Sequence, residues 1–259
     1  MRTSRFRSAS AGGAALWISW LFAAAAAAET RFTVPLPGPG EAVVLEASVF
    51  NGALRIESLP AGATQIEVTL GNEGDPLPVE EEQGLWSVPA IGLTVETLEN
   101  RAVLKTRWTR PLIVRLGVPR QARLELQTVM GGDVELRDLD GAIEIKANNS
   151  DVVGRSLGGP IVVSSIEGSI DIEFAAVKVA PAASLVTWSG DVRVVLAPEV
   201  GVDLRLKAVS GEIDSDVPLA APAAAGNPRQ RSELRGRVGS GGADVRMESY
   251  KGSLTVRRP

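Results

Sequence analysis

Met130-Gly131-Gly132-Asp133-Val134-Glu135-Leu136 is followed almost at once by Leu139-Asp140-Gly141-Ala142-Ile143-Glu144-Ile145, and this pair of segments decides the fold. Each is a glycine turn followed by alternating apolar and polar residues. Period-two alternation places one set of side chains on a dry face and the other in water, as a half-buried strand requires. Glycine relieves the backbone where the chain must turn.

The same pattern recurs outward in both directions. Upstream it is Phe50-Asn51-Gly52-Ala53-Leu54-Arg55-Ile56. Downstream the turn glycines are Gly159, Gly168, Gly190, Gly211 and Gly252, each followed by apolar residues at the second position and in most copies also at the fourth. Counting from glycine, positions −2, +2 and +4 read as inward and positions −1, +1 and +3 as outward. Gly132 to Gly141 and Gly159 to Gly168 are nine-residue steps, and Ser150 stands midway between Gly141 and Gly159 in a degenerate copy. Short strands at a fixed period are the signature of a stacked array. One copy buries about three apolar side chains at roughly 1.5–3 kcal/mol each. Ordering nine backbone residues costs roughly 1–2 kcal/mol apiece. A lone copy therefore does not fold, and neighbours must share the core.

The expected fold is all-β, a solenoid of short Gly-turn repeats over 116–259, with a less regular β region over 29–115 that starts or caps it. In that first region strands are expected over 42–49, 65–70, 93–98, 101–107, 112–118 and, at the junction with the repeats, 123–128. A stretch rich in Ala, Pro and Arg, 218–237, reads as an exposed loop inserted in the array, a tolerated excursion rather than a binding loop.

The N-terminus carries Arg2, Arg5 and Arg7, then an apolar run ending Ala26-Ala27-Ala28. This is the layout of a cleaved signal peptide over 1–28; the other reading is a membrane anchor, for which the run is short and alanine-rich. The mature chain is expected in the periplasm or outside the cell, with no transmembrane segment. Of 27 basic residues in the whole chain, three lie in that segment, against 31 acidic residues elsewhere, so the mature chain is acidic. Nucleic acid is thereby disfavoured as a partner. The sequence has no His and no Cys, which removes the usual general base and the usual zinc ligands.

Leu116-Gly117-Val118-Pro119-Arg120-Gln121-Ala122-Arg123-Leu124-Glu125-Leu126-Gln127-Thr128-Val129-Met130-Gly131-Gly132-Asp133-Val134 is similar to the entry segment of the DUF4097 family, named as "putative" bacterial adhesins with β-strand repeats. Lys207-Ala208-Val209-Ser210-Gly211-Glu212-Ile213 and residues 239–253 resemble its later repeats. The resemblance spans nearly all of the mature chain. It implies a right-handed β-helix-like solenoid in an exported protein, with adhesion suggested only by the family's name.

Several residues carry candidate chemistry. Gly154-Arg155-Ser156-Leu157-Gly158 fits the nucleophile-elbow pattern, but that elbow needs a base and a following helix, so it reads as a chance match. Glu135, Glu144, Asp171 and Asp214 all fall at outward position +3, where carboxylates on one face could cleave glycosides. A solvated acidic row is the plainer reading. Asp133, Asp151 and Asp191 lie at position +1 (Asp151 behind Ser150), where calcium is conceivable, although an Asp in a turn more often bonds its own backbone. Asn148-Asn149-Ser150 is an incidental sequon. Of Trp86, Trp108 and Trp188, which could stack on sugars, Trp188 sits at an inward position and is expected in the core. Gly239-Ser240-Gly241-Gly242 lacks the helix of a phosphate loop.

The expected function is a non-enzymatic, adhesin-like binding or scaffold module of the bacterial cell envelope, with no cofactor and no metal. Its partner would be an unknown envelope polymer, lipid headgroup or protein. The alternatives are a carbohydrate-active β-helix enzyme using the surface carboxylates and an envelope-stress sensing component.

Overall fold

The computed structural model describes residues 29–36, 43–71, 75–107, 111–175, 181–198, 200–219 and 233–258. Residues 1–28, where a signal peptide is expected, and Trp108 lie outside the described residues. Every repeat segment is a strand, because each holds alternating β-branched and leucine side chains with their apolar set buried. The strands fall into two ladders, A and B, and all the buried apolar side chains of both form one core cluster.

In the repeats the chain alternates between ladders. It runs β9 (Arg123–Met130) in B, β10 (Val134–Arg137) in A, β11 (Ile143–Asn149) in B, β12 (Val152–Leu157) in A, β13 (Ile161–Glu167) in B and β14 (Ile170–Phe174) in A. After 181 come β15 (Ala183–Ser189) in B and β16 (Val192–Val195) in A, then β17 (Val202–Ser210) in B and β18 (Ile213–Ser215) in A. Like strands pair in parallel: β9, β11, β13 and β15 in B, and β10, β12, β14 and β16 in A. The repeating unit is one B strand plus one A strand. Ile143 pairs with Ile161 and Val134 with Val152, so the unit is 18 residues there and the nine-residue step is half of it.

The two halves turn at different corners. Gly52, Gly132, Gly168, Gly190, Gly252 and Gly211 stand at the B-to-A corner, with Ser150 in the same column. Gly141 and Gly159 stand at the opposite one. At Gly190, φ is +147°, and a Cβ would collide with the Gly168 carbonyl of the neighbouring unit. The next residues bond across units: the Val134, Val152 and Ile170 N–H groups donate to the carbonyls of Asp151, Ser169 and Asp191 at 2.8 Å.

Strand order in space departs from order in sequence at both ends. The long strand β2 (Val44–Ser58) runs through both ladders. It lies between β7 (Arg101–Thr106) and β9 in B, and between β8 (Leu112–Val118) and β10 in A. The last two strands, β20 (Asp244–Lys251) and β21 (Leu254–Arg257), insert between β15 and β17 and between β16 and β18.

Antiparallel strands cover both ends of B and the N-terminal end of A. In B these are β6 (Leu93–Leu98), β5 (Leu85–Val88) and β4 (Glu80–Glu82) beyond β7, and β19 (Glu233–Val238) beyond β17. In A they are β3 (Gln65–Gly71) and β1 (Glu29–Pro35) beyond β8. The excursion expected over 218–237 is thus shorter, since 233–237 are already strand; 220–232 lie outside the described residues. Among the described residues no helix is long and apolar enough to cross a membrane.

The inward assignment of position −2 needs correction. Positions +2 and +4 are buried as expected, for example Val134, Leu136, Ile170, Ile172, Val192 and Val194. Position −2 is buried at the A-to-B corner (Leu139, Leu157) but open at the B-to-A corner, where Ile166 is 54 % and Trp188 52 % exposed. Ser165, Thr187, Ser249 and Ala208, at position −3, face inward there instead. The glycine corner advances the chain by one residue, so the alternation changes phase across it.

Candidate functional site

The outward side chains of ladder A form a row of charges. Register places Arg55, Glu135, Val153, Asp171, Arg193, Thr255 and Asp214 side by side on successive strands. Glu135, Asp171 and Asp214 therefore share one face, but no two of them are adjacent. Glu144 does not join them. It follows an A-to-B corner, so it lies on ladder B beside Glu125 and Val162. The single acidic face expected from position +3 is thus two faces.

Each of these carboxylates has a cationic neighbour. Arg155 donates to both Asp171 oxygens, Nη1 to Oδ1 at 3.1 Å and Nη2 to Oδ2 at 2.9 Å, and Arg193 approaches Oδ2 at 3.4 Å. Arg55 Nε lies 3.5 Å from Glu135, and Lys146 Nζ lies 3.0 Å from Glu144. Arg257 hydrogen-bonds Asp214 at 2.5 Å and holds its carboxyl below the usual carboxylate range. A glycosidase acid needs the reverse, a carboxyl raised by burial or by a like charge.

A polar groove of about 380 Å³ opens at the β3–β8–β2–β10 end of this face. Arg31, Arg55, Arg115 and Arg137 line it together with Glu29, Glu57, Glu67 and Glu135, so its charge balances.

Two of the three turn aspartates, Asp151 and Asp191, bond the next unit. Asp151 Oδ1 accepts from the Ser169 N–H at 2.6 Å, and Asp191 Oδ1 from the Ser253 N–H at 2.7 Å. For Asp151 and Asp191 the partner is thus the neighbouring unit and not the local turn that was expected. No group of three or more acidic side chains arranged to hold a metal occurs among the described residues.

Ser156 lies on β12 at φ +57°, where pairing with β14 slips between Gly154 and Leu157. The next element is the strand β13 rather than a helix. Gly239 to Gly242 link β19 to β20, again strand to strand. Asn148 and Asn149 are exposed, Ser150 is buried, and its hydroxyl lies 3.0 Å from that of Thr128.

Trp86 is buried, but Trp188 is not, so the expected core role of Trp188 is overturned by the phase change at its corner. It stacks on Tyr250 with ring centroids 4.1 Å apart and planes within 6°. Ile166 and Val209 flank this pair on the adjoining strands, both exposed. Sequence reasoning missed this apolar row. Its signal was present, an apolar residue two before Gly168, Gly190, Gly211 and Gly252, with a small or hydroxyl residue one place earlier.

No protein-family model matches the chain, and no curated protein matches it. Among solved structures it is similar to a "putative cell adhesion protein" from Clostridium sporogenes at 11 % identity, covering 89 % of this chain and 100 % of that one, with a TM-score of 0.46. It is also similar to a "putative adhesin" from Bacteroides fragilis at 12 % identity, covering 89 % and 97 %, with a TM-score of 0.36. A "putative adhesin" from Parabacteroides distasonis, at 11 % identity and the same coverage, gives a TM-score of 0.23.

Proposed function

We propose that the protein is an exported, non-catalytic binding or scaffold module of the bacterial cell envelope, adhesin-like in kind and built as a β-solenoid. Alternation between two parallel ladders supports the solenoid, each B–A pair being one coil. A right-handed coil follows from the strong preference of parallel crossovers for that hand. The N-terminal Arg-rich and alanine-rich segment supports export. The similarity of residues 116–134 to the DUF4097 entry segment supports the adhesin-like kind.

The observation that carries the non-catalytic reading is the charge row of ladder A. Asp171 is clamped by two arginines and separated from Glu135 by Val153 and from Asp214 by Arg193 and Thr255. Carboxylates paired and separated in this way suit a surface rather than a bond cleavage.

The test compares wild type with the double variant Glu144→Gln, Asp171→Asn. Both are incubated with purified peptidoglycan and with capsular polysaccharide, and pelleted protein and released reducing ends are measured. Retained protein with no reducing ends from either form is the expected outcome. Release by wild type that disappears in the variant would make the protein a glycosidase.

A further inference from the structure

We propose that the protein self-associates, ladder B against ladder B, as a two-fold dimer centred on Trp188. The inference stands apart from the envelope reading and uses different residues.

Four neighbouring strands, β13, β15, β20 and β17, place an apolar side chain at the same outward level. Ile166 is 54 % exposed, Trp188 52 %, Tyr250 42 % and Val209 46 %. The register confirms the row, because residues on either side of each are paired: Ser165 with Thr187 and Glu167 with Ser189, then Thr187 with Ser249 and Ser189 with Lys251. At about 4.8 Å per strand the four make a ridge about 15 Å long. Single exposed apolar residues are ordinary, but a contiguous row marks an interaction surface.

The geometry of the aromatic pair narrows the occupant. Trp188 and Tyr250 lie face to face, so each has one ring face covered by the other. Strand order puts Ile166 beyond Trp188 and Val209 beyond Tyr250. The ridge therefore offers ring edges and methyl groups, whereas a sugar stacks on an open ring face. Edges and methyls suit a second flat, apolar protein surface.

Charge then selects a second copy of this chain. One residue beyond the ridge, successive strands carry Glu167, Ser189 and Lys251, in register. Glu167 and Lys251 are exposed, and neither has an ion-pair partner among the described residues. A two-fold axis along β15 through Trp188 carries the β13 position onto the β20 position. Glu167 of each copy then faces Lys251 of the other, twice. Trp188 meets Trp188, and Ile166 meets Tyr250. Lys146 would face Lys207 of the second copy, but each is already neutralised, by Glu144 at 3.0 Å and by Glu248 at 2.6 Å. Self-complementarity of this kind is what an isologous contact demands.

The test is sedimentation equilibrium of the mature chain over a hundredfold range of concentration. Wild type should dimerise. Trp188→Glu should be monomeric and keep the wild-type circular dichroism spectrum. Glu167→Lys and Lys251→Glu should each weaken association by about tenfold or more, by setting like charges opposite one another. The double exchange Glu167→Lys, Lys251→Glu should restore it. If Trp188→Glu fails to fold, the exchange series decides alone. A wild type monomeric throughout overturns the proposal. So does a dimer indifferent to all four variants, or one that the double exchange fails to restore. If wild type stays monomeric while Trp188→Glu loses binding to an insoluble glycan, the ridge is a sugar site instead.

Discussion

From β9 to β16 the chain lays strands down in the order in which it encodes them, and at its two ends it does not. In the middle, the four units from β9–β10 to β15–β16 pair with one another in chain order. At the N-terminal end β2 slips inside β7 and β8, and at the C-terminal end β20 and β21 slip inside β17 and β18. The middle shows that one unit, repeated, is sufficient to build both ladders. The ends show that equivalent units can be stacked in another order when that order protects something. What it protects are β2, β20 and β21, which acquire partners on both sides. Open ladder edges template pairing with other chains. Here the outermost B positions go to antiparallel strands, with the all-acidic β4 at one end and β19, carrying Glu233, Arg235 and Arg237, at the other.

The severest way to break this comparison is to delete residues 244–259. The loss removes buried Val245, Met247, Leu254 and Val256 and leaves β15 and β17 without their shared partner. Four buried apolar side chains are worth about 6–12 kcal/mol, which rivals the whole stability of a domain. The truncated chain should show no cooperative thermal transition by circular dichroism at 222 or 218 nm, and aggregation should replace it. A sharp, merely lowered transition would mean that the units fold independently and that the insertion is dispensable.

A corner substitution separates the stack from its cap. Gly190→Ala places a Cβ against the Gly168 carbonyl at φ +147° and should cost at least about 2 kcal/mol. Gly62→Ala, in the turn before β3, has φ +87° and nothing within 4 Å of the new atom, so only the backbone preference is lost, about 1 kcal/mol. Urea unfolding of both variants would check the order. Equal midpoints would remove the close approach of units as the reason for glycine in the column.

The unit was legible in the sequence, and its assembly was not. Apolar residues at +2 and +4 named the buried set correctly because both follow the corner on one continuous strand. Position −2 misled because the glycine at the B-to-A corner changes the phase of alternation, and the apolar residues alone do not mark that change. The hydroxyls three places before Gly168, Gly190 and Gly252 were the clue, small polar residues where an outward site would tolerate anything. Strand order was hidden for a different reason. Units with interchangeable cores do not state which neighbour they prefer. The candidate carboxylates were legible as outward, but Glu144 and Asp171 could be assigned to separate faces only once their two corners were told apart.

Those hydroxyls allow a finer comparison between adjoining units. Thr187 Oγ1 donates to the Gly168 carbonyl at 3.1 Å, whereas the Ser165 hydroxyl, one unit away, is buried without a hydrogen-bond partner. Thr187→Val should lose about 1 kcal/mol, because the carbonyl is left unpaired. Ser165→Ala should be close to neutral or slightly stabilising, since it removes an unsatisfied polar group. Chemical denaturation of the two variants side by side provides the measurement. A larger loss at Ser165 than at Thr187 would contradict the assigned bonding.

The smallest effect concerns charge at the inserted strand. Lys207 on β17 and Arg246 on β20 itself hydrogen-bond Glu248, each at 2.6 Å, and hold its carboxyl below the ordinary range. A carboxyl depressed in the folded state stabilises the fold fully above its unfolded pKa, and the contribution fades as pH falls through the folded value. Glu248→Gln should therefore melt below wild type at pH 7, and the gap should close as the solution is taken below the usual glutamate range. Solvent screening keeps the gap small, as for most surface pairs. The sign is the informative part. A gap that widened on acidification would mean that Glu248 is strained rather than held by its two cations, and the bond from β17 to β20 would then be no part of what keeps the last strands in their interior slot.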